Sequence, residues 1–175
     1  MGILSGSEIK KQIGLGNIWI NPFHEQQVNP NSYNVRLGDI LKVYEEAFLD
    51  VRHRPNEKII KITDEGYRLS PGIGYLGTTV EMVGSTKYVP IINGRSTLGR
   101  YFLTVHQTAG FGDVGFYGHW TLEIVVMGQI PIWIYPGIEI AQICFEELVG
   151  EGEQQYHGRY AGQQLTTYPK GPEPL

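Results

Sequence analysis

The chain has one cysteine, Cys144, in 175 residues. A single thiol cannot close an intramolecular disulfide, and it cannot supply the cysteine pair of a zinc finger or ribbon. With no disulfide to protect, a reducing cytoplasm is the simplest setting. Cys144 lies between Ile143 and Phe145 and reads as a small buried apolar residue. Apolar runs long enough for a membrane helix, about 20 residues, are lacking, and the N-terminus has no charged segment followed by an apolar stretch and a cleavage site. Met1-Gly2 is followed by Gly6 where a myristoylation signal needs Ser or Thr. Cations are also scarce: 14 Lys and Arg stand against 18 Asp and Glu, a formal charge of −4. A nucleic-acid polymer is therefore a poor partner, because phosphate-backbone binding needs a basic face. A small phosphorylated ligand needs only a few local cations and stays open.

What the chain does contain is turns. It has 23 Gly and 10 Pro spread through a composition that is 41% hydrophobic and 11% aromatic, so a packed core is broken into short elements. Ser5-Gly6-Ser7-Glu8 fits a capping box, and Ile9 and Ile13 then share a helix face until Gly14 and Gly16 end it. Beyond Gly16 the pattern changes to apolar runs separated by turn formers such as Asn29-Pro30-Asn31, Ser70-Pro71-Gly72, Asn93-Gly94 and Tyr135-Pro136-Gly137. The runs are Ile18–Ile20, Tyr33–Leu37, Ile40–Tyr44, Ile59–Ile62, Tyr75–Met82, Tyr88–Ile92, Tyr101–Val105, Trp120–Val126, Ile130–Trp133 and Ile138–Glu146. Such spacing without alternating long helices predicts a mainly β fold, an antiparallel sandwich or barrel with a few short helices. Residues 1–150 form this domain. Residues 151–175 shift to Gln, Gly, Pro and Tyr and read as a tail, either ornament or a lid that orders on a ligand.

Gly72-Ile73-Gly74-Tyr75-Leu76-Gly77 satisfies G-x-G-x-x-G, but Thr78–Met82 after it is strand by propensity, so a glycine turn entering a strand is the reading. The five histidines show no metal-ligand spacing, and no H-x-E accompanies a P-C-x-x-C, so zinc-dependent base deamination is excluded. The densest chemistry lies between Asn93 and Glu123. Ser96-Thr97-Leu98-Gly99-Arg100 has a candidate cap and room for one or two helical turns, which would place Ser96 and Arg100 on one face beside Arg95. Glu123, inside Trp120–Val126, faces solvent by alternation with Leu122 and Ile124 or is buried with a partner; Val125, of the same parity, weakens the first reading.

Asn93–Arg100 resembles the G-R-S-S-L-[AG]-R motif of the dCTP deaminases, which belong to the trimeric dUTPase superfamily. The resemblance continues in order through His106-Gln107-Thr108-Ala109-Gly110, the turn at Phe111–Gly118, Thr121-Leu122-Glu123, Tyr135–Gln142 and Gly158–Gln163, and upstream through Asn29–Gly38 and Ile3-Leu4-Ser5. It implies a distorted antiparallel β-barrel or jelly roll of the dUTPase type. It further implies a homotrimer with active sites shared between subunits and closed by the tail.

The same resemblance implies hydrolytic deamination of dCTP at cytosine C4. Glu123 would be the proton shuttle, Arg100 its balancing cation, and Ser96 and the Ala109 carbonyl would position the water. Arg95 and Thr97, with Arg159, Gln163 and Tyr156 from the tail, would bind phosphate. Asp113 would accept the sugar 3′-OH, and Gln107 and Gly110 would line the base loop. Mg²⁺ would bridge the triphosphate without a protein metal site, and dTTP would inhibit. Gly110, where deaminase-only relatives tend to carry a bulky residue, resembles the bifunctional branch that also hydrolyses the triphosphate to dUMP and pyrophosphate. A deaminase giving dUTP, a dUTPase alone and a non-catalytic nucleotide-binding trimer are the alternatives. The chain departs from the family pattern at Asn34 for Asp, Thr97 for Ser, Gly112 for Ile and Val114 for Pro or Ala.

Overall fold

The computed structural model describes residues 2–150, 155–158 and 160–164. Helix α1 (Gly6–Gly14) opens the chain with Ser5 as its cap, the hydroxyl accepting from the Glu8 N–H at 3.3 Å. Its buried face carries Ile9 and Gln12. Eleven strands follow among the described residues: β1 (Ile18–Asn21), β2 (Tyr33–Arg36), β3 (Ile40–Tyr44), β4 (Glu57–Lys61), β5 (Tyr67–Leu69), β6 (Gly74–Ser85), β7 (Tyr88–Gly94), β8 (Leu103–Thr104), β9 (Tyr117–Val126), β10 (Ile132–Ile134) and β11 (Glu139–Glu147), with α2 (Ser96–Gly99) between β7 and β8.

The main sheet runs β4-β3-β6-β9-β8, with β1 also on β6; β2-β11-β7 and β10-β5 form the other two. Every strand pair is antiparallel. The fold is thus mainly β and jelly-roll-like, its ladders split into three sheets that isolated bridges such as Leu37↔Thr79 and Ile91↔Phe111 stitch together. β9 alternates half-buried and buried residues along its whole length, so Gly118, Trp120, Leu122, Ile124 and Val126 face the core. Tyr33, Val35, Leu37, Leu41, Ile143 and Phe145 meet them there, all fully buried. β6 and β9 pair in register from Gly74↔Val125 to Thr78↔Thr121, then resume at Met82↔His119. The extra residues of β6 bulge. Thr79 satisfies that bulge: its hydroxyl donates to the Glu81 carbonyl at 2.7 Å and accepts from the Trp120 N–H at 2.9 Å.

Several expectations shift. The apolar run Tyr101–Val105 yields only a two-residue strand, because Phe102 takes a left-handed φ of 59° and leaves Tyr101 and Phe102 exposed. β5 escaped notice: three residues set between turns give no usable period. Cys144 is half-buried, not core, because Ile143 and Phe145 take the inward positions of β11 on either side of it. Burial still pushes its thiol pKa up, with the Glu146 charge adding to the effect. Gly74, Gly77 and the residues between them lie within β6, as the glycine-turn reading expects. No helix among the described residues is long and apolar enough to cross a membrane.

Candidate functional site

Three neighbouring strands of the main sheet build one wall of a cleft of about 400 Å³. Lys42 of β3 pairs with Leu76 of β6, and Leu76 pairs with Glu123 of β9. Glu123 is half-buried and faces this cleft on the outward side of β9, between the two extremes left open by its sequence context. The loop after β8 grips it. The Gln107 N–H donates to Glu123 Oε2 at 2.7 Å, the Gln107 side-chain amide donates to the Glu123 carbonyl at 3.0 Å, and the Glu123 N–H reaches the Val105 carbonyl at 2.9 Å. The Gln107 amide also donates to the Thr104 hydroxyl at 2.8 Å, which fixes its orientation. A carboxylate that accepts a backbone N–H and opens on a cleft can exchange a proton with a bound molecule without losing its place.

The far end of the same loop is tied to β7. The Ile92 N–H donates to the Gly110 carbonyl and the Gly112 N–H to the Pro90 carbonyl, each at 2.8 Å. Gly110 sits where a Cβ would come 3.2 Å from His106 Cε1 and 3.2 Å from the Ile92 carbonyl. Gly112 is tighter still, with a Cβ there only 2.5 Å from Trp120 Cη2. The motif that this stretch resembles has Ile at this position; here the indole of Trp120 lies where a Cβ would stand. Trp120 is anchored by its Nε1–H to the Val83 carbonyl at 3.2 Å and stands edge-on to Phe116. Asp113 follows Gly112 at the cleft rim, and its carbonyl accepts from the Phe116 N–H at 3.1 Å.

The described tail residues lie against the free edge of β9. The His119 N–H donates to the Gln163 carbonyl at 2.9 Å and the Gly162 N–H to the Tyr117 carbonyl at 3.1 Å, while the Gln163 amide donates to the Thr121 hydroxyl at 2.6 Å. Tyr156 is held by its N–H to the Val114 carbonyl at 2.8 Å. Tyr156, Tyr160 and Gln163 thereby line the cleft with Ala109, Asp113, Thr121 and Glu123. Tyr44, also on the wall, has its hydroxyl pKa pushed up by burial and then by the charges of Glu57 and Glu123, which keeps it a proton donor.

The α2 residues sit elsewhere. Ser96, Thr97 and Arg100 are exposed and do not line this cleft of their own chain. The turn forms, with the Arg100 N–H on the Ser96 carbonyl at 3.2 Å, but Arg95 and not Ser96 is the cap. The Arg95 guanidinium is ion-paired with Glu139 at 2.7 Å. Arg159 lies outside the described residues. The cleft thus gathers Glu123, Ala109, Asp113, Tyr156 and Gln163, with Gln107 and Gly110 in the loop behind, and leaves the α2 cations on a separate surface. Sequence reasoning missed Tyr44, Leu76, Phe116 and Trp120 as lining residues. No local signal marks them, since their convergence depends on strand order.

Comparison with known proteins places the chain. A family model described as dCTP deaminase-like matches residues 3–148. The chain is 49% identical over 158 residues to a protein of Clostridium beijerinckii named dCTP deaminase, dUMP-forming, covering 90% of each. Proteins of the same name from Clostridium botulinum and Leptospira biflexa are 50% identical over 160 residues (90% of each chain) and 45% identical over 162 residues (93% of this chain, 91% of the other). Among solved structures, a 2′-deoxycytidine 5′-triphosphate deaminase from Agrobacterium tumefaciens shares the fold, with a TM-score of 0.66 at 20% identity over 82% of this chain. The chain spans about half of that protein, 48% of its length. With the family model spanning the whole β domain, this chain belongs to the dCTP deaminase-like family.

Proposed function

We propose that the chain is a hydrolase that converts dCTP and two waters to dUMP, ammonia and pyrophosphate. The observation that carries this reading is the group of relatives at 45–50% identity, along about 90% of the chain, all named dUMP-forming dCTP deaminases. The cleft supports it with a carboxylate, Glu123, placed on a strand and held by the Gln107 N–H. In the first step Glu123 takes a proton from water as the oxygen attacks C4, and passes it to N3. Glu123 then takes the proton of the new C4 hydroxyl and gives it to the exocyclic amine; C4=O forms as C4–N breaks, and ammonia leaves. Asp113 at the rim receives the 3′-OH, and the aromatic walls of Phe116 and Trp120 keep bulk water away.

Gly110 supports the second hydrolysis. A Cβ at Gly110 would fall 3.2 Å from His106 Cε1 and 3.2 Å from the Ile92 carbonyl, so any side chain here would displace the loop that carries Gln107 and Ala109, and glycine keeps that loop in place for a second water. Phosphate binding falls to Gln163, Tyr156 and Arg159 of the tail, with Arg95 and Thr97 reaching the same phosphates from a neighbouring chain. Ser96 and Arg100 act on the water of a neighbouring chain's cleft in a homotrimer, a reading supported by their exposure and by their separation from Glu123 of their own chain. The tail from residue 151 onward acts as a lid, supported by the hydrogen bonds that its described residues Tyr156 and Gln163 make to the cleft's own turn and strand. Magnesium would be carried in by the substrate's phosphates and would screen their charge. Among the described residues no three His, Cys, Asp or Glu converge as a metal site, and the two cleft carboxylates have other tasks. That donor set suits an ion coordinated by phosphate oxygens. A cytoplasmic, reducing location suits both the lone thiol and a deoxynucleotide substrate.

The test is a product-resolved assay with dCTP and Mg²⁺. The expected products are dUMP and pyrophosphate. In Glu123→Gln, deamination falls by at least ~10²-fold, the usual contribution of a positioned acid/base. No turnover of any deoxycytidine nucleotide by the wild-type chain would overturn the proposal; dUTP as the sole product would overturn its second step.

A further inference from the structure

Arg95 has a polar scaffold behind it that the reaction itself does not require. Its Nη1 is ion-paired with Glu139 Oε2 at 2.7 Å and donates to the Glu139 carbonyl at 3.2 Å. Glu139 opens β11, and the same Oε2 accepts from Asn34 Nδ2 at 2.9 Å. Asn34 is buried on β2, and its Oδ1 accepts from Asn29 Nδ2 at 2.7 Å. Asn29 Nδ2 also donates to the Ser32 hydroxyl at 3.1 Å, which donates to Gln142 Oε1 at 2.8 Å. The Gln142 amide then donates to the Gly94 carbonyl at 3.2 Å. Two consecutive residues at the start of the α2 turn are therefore held from one buried source, Gly94 through its backbone and Arg95 through its side chain.

A surface ion pair alone holds a long side chain weakly, because two flexible chains lose entropy for a screened attraction. Here one partner is fixed by a buried amide, and each link of the series sets a donor against an acceptor. The guanidinium carries five N–H donors, of which Glu139 engages only Nη1, so the rest of the fork remains for an anion.

We propose that Asn34 and Glu139 are positioning residues that orient Arg95 toward the triphosphate of the nucleotide, setting affinity for the phosphate chain and not the rate of deamination. This rests on the reading of Arg95 as a phosphate ligand. The identity of residue 34 matters because an amide can donate to Glu139 and a carboxylate cannot. Asn34→Asp keeps the volume but sets like charges 2.9 Å apart. Adding Glu139→Gln restores the pairing with reversed polarity, since the new amide donates to the carboxylate introduced at position 34 and its carbonyl still accepts from Arg95.

The test is steady-state kinetics with dCTP on full-length Arg95→Ala, Glu139→Gln, Asn34→Asp and the double variants Asn34→Asp/Glu139→Gln and Arg95→Ala/Glu139→Gln, each with a thermal melt. Asn34→Asp is expected to raise KM about tenfold or more, the scale of one lost charge-assisted hydrogen bond, with kcat within about threefold. The Asn34→Asp/Glu139→Gln pair is expected to recover most of that loss. In the Arg95→Ala background, Glu139→Gln is expected to add nothing, since its only task there is gone. An unchanged KM in Arg95→Ala overturns the phosphate reading of Arg95 and the proposal with it. A raised KM in Arg95→Ala, with KM unchanged in Glu139→Gln or with Glu139→Gln still costly on top of Arg95→Ala, overturns the positioning role alone. Should Asn34→Asp fail to fold, the Glu139→Gln and Arg95→Ala cycle decides the question by itself.

Discussion

Gly112→Ala probes a part of the cleft where this chain departs from the motif it resembles. Its backbone φ is not in the left-handed region, so alanine meets no conformational penalty there and only space is at issue. The added Cβ would meet Trp120 Cη2 at 2.5 Å, Trp120 Cζ2 at 2.7 Å and Pro90 Cγ at 2.9 Å. None of these can yield cheaply. Trp120 is 7% exposed and held by its Nε1–H to the Val83 carbonyl. Pro90 is a rigid ring inside β7 whose carbonyl accepts the Gly112 N–H. Overpacking of this kind costs about 1–3 kcal/mol. For a domain of this size each kcal/mol lowers Tm by roughly 2–4 °C, so a fall of about 2–12 °C is expected in a calorimetric melt.

Relief must come from tilting the indole, which lines the cleft beside Asp113, so KM for dCTP should rise together with the loss of stability. Trp120→Phe, which removes the crowded part of the ring, should offset the cost when combined with Gly112→Ala, giving a non-additive double variant. A Gly112→Ala protein that melts like wild type, or a strictly additive pair, would refute the idea that Trp120 lies where a Cβ at this position would stand.

Gly110→Val should crowd His106 and the Ile92 carbonyl and shift the product of dCTP turnover from dUMP toward dUTP, which separation of the nucleotides would show; continued release of dUMP at the wild-type ratio would count against the role given to Gly110. Gln107→Ala should retain the backbone N–H bond to Glu123 but lose the side-chain clamp, so kcat should fall only by about 2–10-fold, the effect of one modest hydrogen bond, and a loss as large as that of Glu123→Gln would contradict it. Cys144 should resist thiol reagents near neutral pH, because burial holds its pKa above the ordinary thiol value. The sign follows: the protonated thiol is favoured in the folded state, so its stabilising contribution is complete below the unfolded pKa and is lost as pH rises through the folded one. Labelling as fast as in the denatured chain at pH 8 would contradict this.

The sequence determined the elements whose cause is local. Ser5 caps α1 because a hydroxyl three residues ahead of the Glu8 N–H can close that turn whatever surrounds it. The alternation in Trp120–Val126 set the two faces of β9, and Glu123 stood out as a carboxylate inside an apolar run, while Asp113 and Ala109 were marked only by the motifs the chain resembles. Sequence also limited the chemistry, since a lone cysteine rules out the zinc route to deamination. The tertiary structure decided everything that depends on which strands become neighbours. Glu123 could not be placed between core and solvent from its own strand, because the cleft in front of it is made by β3, β6 and the loop at Gln107. Tyr44 and Trp120 join that cleft only through the order β3-β6-β9, and Asn34 meets Glu139 only because β2 lies beside β11. Contacts between residues about a hundred positions apart leave no period in the sequence. A residue's type can announce its chemistry, but the partner that orients it is chosen by the sheet.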